Sequence, residues 1–69
     1  MNKDFLYIEK DTKAPLIIWA KHKPSAKNIP KTGTWLIKEW TNNSWSMPCC
    51  PEITLNIINE KLKYIREIK

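Results

Sequence analysis

Valine and glutamine are missing from this 69-residue chain, glycine and arginine occur once each, and the two cysteines are adjacent at Cys49 and Cys50. A single glycine, Gly33, leaves no glycine-rich loop to cradle a phosphate, which excludes the usual nucleotide-cofactor motifs. Adjacent cysteines provide neither the spaced disulfide framework of small secreted domains nor the paired C-x2-C ligands of a closed zinc site. A reducing, cytoplasmic compartment is therefore expected, with no metal and no cofactor. The longest strongly apolar run, Ala14 to Ala20, falls well short of the roughly 18 to 20 residues of a membrane span, and no membrane partner is expected. The segment before Phe5-Leu6-Tyr7-Ile8 lacks the long apolar core of a secretory signal. Length is itself restrictive: a doubly wound cofactor-binding sheet and a deep catalytic barrel both need more chain than this.

Positive charge is what the chain does have. Its net charge is +5, and the excess is concentrated in one segment. Lys21, Lys23, Lys27 and Lys31 fall within residues 14–33, which contain no acidic residue, whereas the segments on either side are nearly balanced. Residues 21–33 also hold Pro24, Pro30 and Gly33, so this basic stretch reads as a loop. Four ammonium groups without counter-charges attract phosphate oxygens or an acidic protein face, or else simply keep a loop solvated.

Hydropathy patterning predicts an α+β fold: a small antiparallel sheet of three to four strands, a meander, packed against one C-terminal helix in a single domain spanning residues 1–69. Aromatic and β-branched residues mark strands at about 5–9, 15–20, 34–40 and 44–47. Turns are expected at Lys10-Asp11-Thr12-Lys13 and Thr41-Asn42-Asn43-Ser44. Alternation along the third strand places Leu36, Lys38 and Trp40 on one face and Trp35, Ile37 and Glu39 on the other. Residues 52–68 contain no proline or glycine, and Leu55, Ile58, Leu62 and Ile65 recur at helical spacing, which predicts a helix there with Pro51 at its start. Ile53, Ile57, Tyr64 and Ile68 form a second stripe beside the first. That apolar arc is wider than one sheet face needs, so either the sheet curls around the helix or the outer stripe meets a partner, including a second copy of the chain.

Catalytic constellations are weak. Cys50 before the predicted helix could in principle be activated by the helix N-terminus, but Glu52 opposes thiolate formation and nothing brings His22 alongside, so Cys50 is read as a small buried hydrophobe. Lys31-Thr32-Gly33 matches an element of penicillin-binding enzymes whose companions are missing. Ile29-Pro30-Lys31-Thr32-Gly33-Thr34 is similar over six residues to a stretch of HicA-like mRNA interferases, without that family's glycine-serine-histidine motif. Neither likeness implies an activity, and no enzyme is expected.

Trp19 and Trp35 are read as core, whereas Trp40 and Trp45 flank an asparagine-rich turn where an indole can stack on a base or anchor an interface. The candidate binding residues are thus Lys21, His22, Lys23, Lys27, Lys31, Trp40 and Trp45. The first functional expectation is a non-catalytic small basic protein that docks on and inhibits a host protein or nucleoprotein complex. The Lys-, Ile- and Asn-rich composition is what AT-rich coding produces in some bacteria and their phages, and suggests a phage or mobile-element factor. The alternative is direct, largely sequence-independent binding of RNA or DNA, because lysine supplies charge without the bidentate fork by which arginine reads guanine.

Overall fold

Two tight hairpins and one long return organise the chain. The computed structural model describes all 69 residues, as β1 (Lys3–Glu9), β2 (Pro15–Ala20), β3 (Trp35–Thr41), β4 (Ser44–Ser46), β5 (Glu52–Ile53), α1 (Leu55–Lys61) and β6 (Leu62–Ile68). Every pairing is antiparallel, in the order β4-β3-β2-β1-β6, and β5 shares with β4 the edge of β3 that β2 leaves free. The fold is therefore α+β, but the sheet has six strands rather than three to four and the helix is only seven residues long.

Both hairpins follow from turn chemistry. At the β1–β2 turn the Glu9 N–H donates to the Ala14 carbonyl at 2.9 Å, and Lys13 takes the left-handed conformation at φ 64°. At the β3–β4 turn Asn42 and Asn43 both have positive φ, 51° and 63°. Two consecutive left-handed residues make the turn whose twist matches a hairpin, and asparagine tolerates that region better than other non-glycine residues.

Alternation then sorts the side chains. Phe5 and Tyr7 from β1, Ile18 and Ala20 from β2, and Trp35 and Ile37 from β3 point into one apolar cluster. Ile53, Ile58 and Leu62 complete it. Ile53 lies on one edge of the sheet and Leu62 on the opposite edge, joined by Thr54 and a helix about 10 Å long at 1.5 Å per residue. For both to reach the same cluster, the sheet must wrap around it, with Ile58 of α1 plugging the interior.

The expected helix over residues 52–68 is the principal correction. Thr54 caps α1, its hydroxyl accepting from the Ile57 N–H at 3.4 Å, so the helix starts later than Pro51 would place it. It ends at Leu62, where the backbone turns extended (φ −113°, ψ 150°). From there Leu62-Lys63-Tyr64 alternates with period two, and the segment pairs along β1 from Glu9↔Leu62 to Asp4↔Ile68. A shift between Leu6↔Arg66 and Tyr7↔Tyr64 leaves Ile65 as the extra residue of a bulge. The physical reason is non-local. β1 would otherwise carry a row of unpaired backbone groups, and pairing a β-branched, aromatic segment there outweighs a weak preference for continuing a helix. As a result, the second helical stripe of Ile53, Ile57, Tyr64 and Ile68 does not exist: Ile53 is core, Ile57 is on α1, and Tyr64 and Ile68 are on β6. The surface on which the homodimer expectation rested is absent. Cys49 and Cys50 are exposed rather than buried, on the link between β4 and β5. No helix is long and apolar enough to cross a membrane.

Candidate functional site

The face of the sheet turned away from the core carries a strip of apolar side chains set among the charged Asp4, Lys38, Glu52 and Arg66. Register places Leu6 opposite Ile17, Ile17 opposite Lys38, Trp19 opposite Leu36, and Trp40 opposite Trp45, all on this outer face. Ile17 is only 1% exposed yet lies outside the main core cluster. The Lys38 chain crosses this region: its ammonium lies 3.6 Å from the Asp4 carboxylate and 5.2 Å from the Trp19 ring centroid. Further out the face opens, with Leu36 37% and Trp40 49% exposed. Trp19 is half-buried on this outer face, which corrects its placement in the core, whereas Trp35 is core as expected, at 4% exposure.

Where β2 ends and β3 begins, the basic loop borders an open cleft of about 340 Å³. Trp19, Ala20, Trp35, Leu36 and Pro30 supply its apolar surface; Asn2, Lys21, His22, Asn28 and Thr34 supply the polar one. No acidic residue lines it. In the loop that forms one wall, the Asn28 side chain makes three of the hydrogen bonds that fold residues 23–28. The Asn28 carboxamide oxygen accepts from the Ser25 N–H at 2.8 Å and from the Ser25 hydroxyl at 3.2 Å, and its nitrogen donates to the Lys23 carbonyl at 2.9 Å. Pro24 is buried, which anchors the loop to the sheet. At its far end the Gly33 N–H donates to the Pro30 carbonyl at 2.9 Å with Gly33 at φ 80°, a conformation that suits the only glycine.

The seven candidate residues divide into three groups rather than one cluster. Lys21 and His22 line the cleft. Lys23 turns to the other side, its ammonium 4.1 Å from the Tyr64 ring centroid, while Lys27 and Lys31 are exposed on the loop. Trp40 and Trp45 pack edge to face at the β3–β4 hairpin. Trp40 lies four residues along β3 from Leu36 on the same face, about 13 Å at roughly 3.3 Å per residue. One continuous surface therefore runs from the cleft, past Lys38, to the indole pair.

No protein-family model matches this chain, and comparisons with curated proteins and with solved structures return no match.

No group of three or more histidine, cysteine, aspartate or glutamate side chains is placed to hold a metal ion. The one distinctly shifted titratable group, Tyr7, is in the core: burial, helped by the neighbouring Tyr64 phenol, pushes it up to about 12. What the outer face offers is indole and aliphatic surface, with the ammonium groups of the 21–33 loop at its end. Reasoning from sequence missed Trp19, Leu36, Asn2 and Thr34 as cleft residues. Alternation along the third strand sets Leu36 opposite Trp35, whereas the run Leu16-Ile17-Ile18-Trp19 has no polar residue to phase it, so Trp19 carries no such signal.

Proposed function

We propose that this protein is a non-catalytic binder of single-stranded nucleic acid, with the outer face of the sheet contacting bases and the 21–33 loop contacting phosphates. One observation supports the reading above the others: Trp19, Leu36, Trp40 and Trp45 share one sheet face, and that face ends at a loop carrying four lysines and no acid. Stacking on an aromatic platform is tolerant of sequence because every base has a π-face, and lysines that neutralise phosphates add an attraction that salt weakens. Recognition would be largely independent of sequence, as expected of lysine contacts.

A titration of the protein into a labelled oligothymidine of about 12 nucleotides, within the usual range of site sizes for such platforms, tests this. Affinity should fall with salt at a log–log slope of about −2 if Lys21, Lys27 and Lys31 each meet a phosphate. A flat salt response, or no binding at low salt, would remove the reading.

A second reading, docking on a host protein as an inhibitory phage or mobile-element factor, draws on the exposed apolar side chains Leu36, Trp40 and Met47. It loses the helical stripe that first favoured it. Capture of a lysate protein that survives nuclease and high salt, by a chain that ignores oligonucleotides, would support it instead.

A further inference from the structure

The cleft between the ends of β2 and β3 differs from the rest of the outer face in being concave and in having both an apolar and a cationic side. We infer that it seats one unpaired nucleobase together with its phosphate, the planar ring against Trp19 and Leu36 and the phosphate against Lys21. This deepens the strand-binding reading and rests on it.

Size is the first argument. A volume of about 340 Å³ sits at the small end of the roughly 300–1,000 Å³ range of ligand pockets, room for a single planar ring and its attached group. The second is the arrangement of the walls. Trp19 and Leu36 are register partners on neighbouring strands, so indole and aliphatic surface lie side by side, and the core residues Trp35 and Ala20 also reach the lining. The Lys38 ammonium over Trp19 is held by Asp4, which leaves Lys21 as the cation facing the cleft without a carboxylate partner.

The polar groups of the cleft divide into those already bonded within the chain and those left free. Asn28 has both ends of its carboxamide engaged within the loop, and the Thr34 hydroxyl donates to the Glu52 carboxylate at 2.9 Å. Those two shape the cleft. Asn2, Lys21 and His22 make no side-chain hydrogen bond within the chain and remain for a ligand. The amide and the imidazole each offer a donor and an acceptor, and the ammonium offers three donors. A ligand with a flat aromatic part, hydrogen-bonding edges and a negative charge satisfies all of these, and a nucleotide of an unpaired strand has each of them.

The test uses the full chain labelled for amide and indole resonances, titrated separately with adenosine and uridine monophosphates, the free nucleosides, inorganic phosphate and oligothymidine. The monophosphates should shift Trp19, Lys21, His22 and Leu36, with nucleoside and phosphate each binding more weakly. Lys21→Ala should weaken the monophosphates about tenfold and the nucleosides hardly at all. Leu36→Ala, at an exposed position that should leave the fold intact, should weaken both. Shifts confined to Trp40 and Trp45, or phosphate binding as well as monophosphate, would overturn the inference. Oligothymidine binding with the cleft resonances unmoved would overturn it while leaving the strand-binding function in place. Mononucleotides shifting the cleft without oligothymidine binding would overturn the strand-binding function and, with it, the assignment of the seat to a nucleotide of an unpaired strand.

Discussion

Trp40 and Trp45 face each other directly across the β3–β4 hairpin, their ring centroids 5.3 Å apart and their planes inclined at 68°. The edge of one indole meets the face of the other, the arrangement favoured by the ring quadrupoles and worth about 0.5–1.5 kcal/mol beyond area burial. Trp40 is nonetheless half exposed, so the pair holds an indole surface open to solvent at the tip of a short hairpin.

Trp40→Ala should therefore cost little stability, about 1 kcal/mol or less, because the lost area is largely solvated and the pair sits on a hairpin tip outside the core. Its effect on oligothymidine binding should be larger, about 1–3 kcal/mol, as for removal of one stacking base platform. Denaturant unfolding and fluorescence titration of the same variant separate the two. A variant that binds as the parent does would remove Trp40 from the contact surface.

The loop lysines should divide according to their surroundings. Lys27 and Lys31 are exposed, and neither makes an ion pair or a side-chain hydrogen bond. Changing either to alanine should leave the melting temperature unchanged and reduce the salt slope of strand binding by about 0.7 each. Lys23→Ala should do more, because its ammonium lies over Tyr64 and an exposed cation–π contact is worth about 0.5–1 kcal/mol. A stability loss with Lys23→Ala but not with Lys27→Ala is the expected pattern, read by thermal unfolding across a salt series.

The contrast between the two ends of the chain shows what could be read in advance. β1 to β4 were legible because local signals agreed: β-branched and aromatic runs, an Asn-Asn turn that takes two left-handed residues, and alternation that put Leu36 and Trp40 opposite Trp35 and Ile37. Residues 52–68 were not, because Leu55, Ile58 and Leu62 satisfy helical spacing while Leu62 and Tyr64 equally satisfy a strand. The choice between them is made by the open edge of β1, about fifty residues earlier in the chain, which no local window contains. Ile17 and Trp19 were hidden for a related reason. A run of Leu-Ile-Ile-Trp has no polar residue to show which members turn outward, so the apolar outer face, and with it most of the cleft, became visible only once β3 was in register. Lys21 and His22, singled out in the sequence only as members of the basic loop, line the cleft.

Asn28 is the side chain on which the shape of the cleft depends. Asn28→Ala removes three side-chain hydrogen bonds within residues 23–28. At about 0.5–1.5 kcal/mol for a typical bond, and less where water can substitute on this part-exposed loop, the expected global cost is about 1–2 kcal/mol. The more telling consequence is local: amide exchange should quicken across the loop, at Ser25 and Asn28 above all, while the β1–β2 amides stay protected. Mononucleotide binding should weaken although both ends of the Asn28 carboxamide are already engaged within the loop. Unchanged exchange in the loop would show that buried Pro24 alone holds it.

Tyr7 should make the protein sensitive to alkali. Its phenol is 2% exposed beside Tyr64, ring centroids 5.3 Å apart, and is pushed up to about 12 mainly because burial disfavours the phenolate. Between about pH 10 and 12 the folded chain retains a proton that the unfolded chain has released, so stability falls as the pH rises through that window. Below about pH 10 the phenol is protonated in both states and its contribution is fully present. A shift of about two pH units corresponds to about 2–3 kcal/mol lost by pH 12. Tyr7→Phe keeps the ring and removes the ionising group, so its unfolding free energy should decline less steeply than the parent's above pH 10. Parallel curves for the two proteins would show instead that Tyr7 ionises in the folded core as readily as in the unfolded chain, and hence that the core opens to water at this position before the sheet unfolds.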